Sequence, residues 1–202
     1  MFQRFQLKMS PYIVFSIKDI VKEFPSFDKK ALVYWQKKGY INKIRNKYYC
    51  FTNTVQDEFF LFLIANKIYH PSYISFESAL GYYNVIPEGV YTITSATTLK
   101  TTLFSSNEGT FSYRKLKSSL FFGYQLIKYQ NQHIKIAGLE KTVLDYVYLN
   151  TKNSTVNDFV MLRWNKEVLR NLNFKMLAEY QQLFQSKALN KRMDQFLKYL
   201  NA

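Results

Sequence analysis

An α+β fold is predicted by three features of this sequence. Apolar residues recur at helical spacing through the first 40 residues and again from residue 139 onward, while the stretch 90–137 is rich in β-branched and aromatic residues broken by turn signals. A basic helix ending in Gly39 runs straight into two short runs rich in Tyr and Ile that read as a hairpin. With 48% apolar and 18% aromatic residues over 202 positions, the chain can fill real cores, so disorder is not expected.

The elements follow in order. Residues 2–9 alternate Phe, Leu and Met with Gln, Arg and Lys, which suits a short amphipathic helix. Ser16-Ile17-Lys18-Asp19 offers an N-cap with an acid three residues on; Ile20, Val21 and Phe24 follow, and Pro25 ends that helix. Placing Ser26 to Gly39 on a helix at about 100° per residue puts Ala31, Leu32 and Trp35 inward. Ser26, Lys29, Lys30, Val33 and Lys37 fall on the opposite face. Gly39 stands where a C-cap would use it, and Lys37 and Lys38 suit the negative end of the helix dipole. The strands Tyr40–Ile44 and Tyr48–Phe51 are then joined by Arg45-Asn46-Lys47, although Ile41 and Ile44 would point to opposite faces of an ideal strand. Helix, helix, Pro-containing turn, basic helix and hairpin is the order of a winged helix-turn-helix. In such a module the helix enters the major groove and the hairpin tip reaches phosphates or the minor groove. The expected DNA contacts are therefore Ser26, Lys29, Lys30, Val33, Lys37, Arg45, Asn46 and Lys47. A solvated lysine face, or a wing-bearing module that binds protein, are the competing readings.

The expected division is residues 1–52 for this module and 53–202 for a mixed α/β domain with a helical C-terminal part. Val55–Tyr69 reads as an apolar helix and Ser75–Tyr83 as another with Phe76, Ala79 and Leu80 inward. Pro87-Glu88-Gly89 and Asn107-Glu108-Gly109 are turns. Strands are expected at Tyr91–Thr94, Thr110–Tyr113, Phe121–Tyr129 and His133–Ala137. Helical texture returns at Leu139 to Val147 and continues over Val156–Leu172, Phe174–Gln185 and Leu189–Leu200.

Charge is placed unevenly. Residues 1–52 hold eleven Lys and Arg against three acids, residues 53–150 eight against seven, and residues 151–202 nine against four, or +8, +1 and +5. That distribution points to a polyanionic partner met at the ends of the chain. One cysteine, Cys50, excludes an internal disulfide and fits a reducing cytoplasm. No signal peptide is evident, and the most apolar run, Phe59–Ala65, is far short of the roughly 20 residues that span a bilayer. A cytoplasmic protein without a membrane association is expected.

Enzyme signatures are sparse. Six scattered glycines assemble neither a dinucleotide fingerprint nor a P-loop, and His70 and His133 lack companions at metal-ligand spacing. No cofactor, metal or catalytic residue is therefore expected. Glu140 and Asp145 read as a helix cap and an ion-pair partner. The competing enzyme reading is a metal-dependent nuclease in which folding gathers Glu77, Glu140 and Asp145. A basic protein-protein adaptor is the other alternative.

The ordered series Tyr73–Leu80, Ile86-Pro87-Glu88, Tyr91–Ser95, Gly109–Arg114, Phe121–Tyr124 and Gly138–Leu149, with its Glu140-Lys141 and Leu144-Asp145 pairs, resembles the AbiEi family of antitoxins over roughly residues 10–150. The family usually has proline just before the Glu-Lys pair, where this chain has Leu139. The resemblance implies a DNA-binding winged helix joined to an antitoxin domain. It further implies repression of the protein's own operon and action against a co-transcribed nucleotidyltransferase-like toxin, without a stable complex between the two.

Overall fold

The structure, a computed structural model, describes residues 1–87 and 89–202. The expected turn at Pro87-Glu88-Gly89 falls in part on Glu88, outside them. The fold is α+β as predicted, with helices and strands first, a mixed sheet next and helices last.

The first module consists of α1 (Phe2–Met9), β1 (Val14–Ser16), α2 (Ile17–Glu23), α3 (Lys30–Lys37), β2 (Ile41–Arg45) and β3 (Tyr48–Phe51), with the antiparallel sheet order β1-β3-β2. This is the connectivity of a winged helix-turn-helix. A capping box starts α2: the Ser16 hydroxyl accepts from the Asp19 backbone N–H, and the Asp19 carboxylate accepts from the Ser16 backbone N–H at 2.7 Å. One face of the small sheet meets an aromatic cluster of Phe5, Phe15, Trp35, Tyr49 and Phe51. The other face joins a second core through Val14, Ile44 and Cys50. Ile41 and Ile44 are thus both buried, on opposite faces, and the irregular alternation of β2 is the mark of a strand covered on both sides.

The second sheet runs β6-β7-β5-β4-β9-β8, built from β4 (Ser72–Ile74), β5 (Thr92–Thr97), β6 (Thr102–Ser106), β7 (Gly109–Lys115), β8 (Tyr124–Tyr129) and β9 (Gln132–Ala137). Pairings β4–β9 and β5–β7 are parallel, and the other three are antiparallel. On one face lies α4 (Glu58–Ile68), capped by the Asp57 carboxylate, which accepts from the Phe60 backbone N–H at 2.7 Å. On the other face lie α5 (Phe76–Tyr82) and α6 (Leu139–Leu149), backed by α7 (Val156–Met161), α8 (Lys166–Arg170), α9 (Phe174–Leu183) and α10 (Lys187–Asn201).

Three expectations change. The basic helix starts at Lys30 and not at Ser26, because Phe27 turns inward against the aromatic cluster and the Asp28 carboxylate accepts from the Lys30 backbone N–H at 2.9 Å. The single helix expected over Val156–Leu172 is two, α7 and α8. Between them Trp164 plugs into the core beside Phe159 and Phe196, and Asn165 caps α8. Strands β1, β4 and β6 were not anticipated, and β4 lies at the centre of the second sheet.

Candidate nucleic-acid interface

The α3 helix presents its faces as its spacing dictates. Leu32 and Trp35 are buried and Ala31 is half-buried, while Lys30, Val33, Tyr34 and Lys37 are exposed, with Lys29 at the N-cap. Its C-terminus closes on Gly39, whose φ of +69° lets the Gly39 N–H donate to Gln36 and the Tyr40 N–H donate to the Trp35 carbonyl at 2.9 Å. Ser26 is exposed, but in the turn before the helix.

The hairpin tip is shorter than expected. Only Asn46 and Lys47 form the turn; both are exposed, and the Lys47 carbonyl accepts from the Ile17 N–H, tying the tip to the start of α2. Arg45 is drawn inward. Its guanidinium lies 3.6 Å from the centre of the Phe104 ring and donates from Nη1 to the Ile68 carbonyl at 2.6 Å. A guanidinium stacked and bonded in this way is spent on the protein, so it leaves the set of groups free to meet DNA. Sequence reasoning missed that use because Phe104 lies far along the chain. It also passed over Lys18 and Lys22, exposed at a four-residue interval on α2 opposite the buried Ile20. That periodicity was there to find, and in helix-turn-helix proteins the first helix crosses the DNA backbone.

Further bonds fix this module to the rest. Lys67 Nζ on α4 donates to the Val14 carbonyl at 2.8 Å, and burial holds its pKa below the ordinary lysine value. Glu108, at the β6–β7 turn, accepts from the Asn42 and Gln56 side-chain amides. The buried Cys50 thiol also points at Glu108, and burial, reinforced by that carboxylate, pushes the thiol up to about 12.

The lysines of the N-terminal module give it a net positive surface with few close ion pairs among the described residues. Among the described residues only Arg114–Glu77 and Lys141–Asp145 are ion pairs within 4 Å, so the cations of α2, α3 and the hairpin tip have no acidic partner. The three acids of the nuclease reading are each tied elsewhere. Glu77 pairs with Arg114. Glu140 lies within the first turn of α6 and accepts from the Asn173 N–H at 2.8 Å, ordering the start of α9 where capping of its own helix was expected. Asp145 is fully buried and bonded to Lys141, to the Tyr73 hydroxyl at 2.8 Å and to the Ser75 hydroxyl at 2.9 Å. No group of three or more His, Cys, Asp or Glu able to hold a metal occurs among the described residues, and no helix there is long and apolar enough to cross a membrane.

Compared with models of known families and with curated proteins, the chain matches none.

Proposed function

We propose that this chain is a cytoplasmic DNA-binding autorepressor and antitoxin of a bacterial toxin-antitoxin system, counteracting a nucleotidyltransferase-like toxin. The observation that carries the DNA half is the exposed, unpaired face of α3, with Lys30, Val33 and Lys37 presented by a winged helix-turn-helix. In this reading Lys30 and Lys37 meet phosphates or base edges, and Val33 offers an apolar contact to a thymine methyl. Lys29, Lys18 and Lys22 lie over the backbone, and Asn46 and Lys47 reach phosphates or the minor groove. The antitoxin half is supported by the likeness of residues 10–150 to AbiEi antitoxins. There the family's Glu-Lys and Leu-Asp segment falls on Lys141 and Asp145, which hold α6 to β4.

The test is fluorescence anisotropy with the chain's own upstream DNA and a scrambled duplex, magnesium present. Tighter binding to the upstream duplex, with the probe intact, is expected. Equal binding to both would overturn the operator reading, and probe cleavage would replace it with a nucleic-acid enzyme. Co-expression with the neighbouring gene's product tests the antitoxin half, restored growth being the expected result.

A further inference from the structure

The N-terminal module holds a cavity of about 360 Å³ between α1, the α2–α3 turn and α3. Its lining is Met1, Arg4, Phe5, Phe24, Phe27 and Trp35, four of the six being aromatic. The rings brace one another. Phe5 lies 4.5 Å from Trp35, 5.5 Å from Phe27 and 5.8 Å from Phe24, centre to centre, and Phe27 lies 5.7 Å from Trp35. The wall therefore exists before any ligand arrives, which spares the cost of ordering it. Arg4 is the lining side chain with a charge; it is exposed and has no acid within 4 Å among the described residues.

A space of this size, mostly apolar with a cationic side chain at its rim, has the build of a small-molecule site. Its chemistry selects the occupant. Phe5 and Trp35 form the buried floor, and the half-buried rings of Phe24 and Phe27 are the accessible aromatic surface, which favours a flat ring by edge or partial stacking contact. A free guanidinium favours a carboxylate, which it can grip through two parallel N–H donors. A cationic ligand would meet Arg4 and a module carrying a net +8, and a neutral one would leave the guanidinium unused. We propose that this cavity binds a small aromatic carboxylate. Binding stands apart from the DNA reading; any effect on DNA would rest on that reading, because Trp35 lies on α3 between Lys30 and Lys37.

The experiment is a titration of the ¹⁵N-labelled full chain with 1-naphthoate and, separately, with its neutral counterpart 1-naphthamide, in the absence of DNA. The chain has two tryptophans. The indole N–H signal of Trp35 reports on the cavity, and that of Trp164, buried beside Tyr146 and Phe196 in the C-terminal helices, is the internal control. The expected result is a saturable shift of the Trp35 signal with naphthoate while Trp164 stays still. Naphthamide should bind about tenfold more weakly, and Arg4→Gln should bring naphthoate down to the level of the amide. Arg4 is exposed, so this variant folds. A Trp35 signal that does not move, equal binding of the two probes, or an Arg4→Gln variant that binds as the wild type does would each overturn the assignment.

Discussion

The guanidinium of Arg45 lies 3.6 Å from the centre of the Phe104 ring, fastening the hairpin of the N-terminal module to the edge strand of the second sheet. Arg45→Ala removes this stack and the bond to the Ile68 carbonyl. The expected loss is about 1–3 kcal/mol of stability. Lys47→Ala, at the exposed tip next door, should change stability by less than about 0.5 kcal/mol while weakening DNA binding. Urea denaturation of the two variants checks the contrast.

Lys141 and Asp145 form an ion pair inside α6 with neither side chain exposed to water. Tyr73 bridges them, its hydroxyl accepting from Lys141 at 2.9 Å and donating to Asp145. Lys141→Met alone leaves a buried carboxylate without its cation and should cost about 3–5 kcal/mol, as should Asp145→Leu through the stranded ammonium. The double variant should recover much of that loss, and a double-mutant cycle by denaturation measures how much.

Cys50 should be inert in the folded chain. Its thiol is buried and pushed up to about 12, first by burial and then by Glu108. An unfolded chain releases this proton near 9, so the stability tied to the neutral thiol is complete below that pH and is lost as pH rises toward 12. A disulfide reagent at pH 8 should label the chain only in denaturant. Rapid labelling of the native protein would contradict the packing described around β3.

Trp35→Ala should cost about 3–5 kcal/mol, since the ring is buried among Phe2, Phe5 and Phe27. A variant melting like the wild type would mean that α3 turns another face inward.

What could be read in advance followed periodicity. The inward face of α3, the cap at Ser16 and Asp19, and the turn at Asn107-Glu108 are all local patterns, and the structure places each where its spacing implied. The strand β4 escaped because it has three residues, all buried, and a run covered on both faces shows no alternation. Arg45 escaped for a different reason. A cation in a turn reads as solvent-facing until a ring from a distant strand is brought beside it. Lys141 and Asp145 were visible as a motif, but their burial depends on Tyr73 and on the rings of Phe122 and Phe184 around the ammonium, which only the fold assembles.

The most direct measurement is the salt dependence of binding to the upstream duplex, compared between the wild type and a Lys30→Ala, Lys37→Ala, Lys47→Ala triple variant. Each phosphate neutralised contributes about 0.9 to the slope of log affinity against log salt, so the variant should bind more weakly and be flatter by up to about 2.7, the full value if all three lysines meet phosphates. A folded triple variant with the wild-type slope would contradict an interface built on α3 and the hairpin tip.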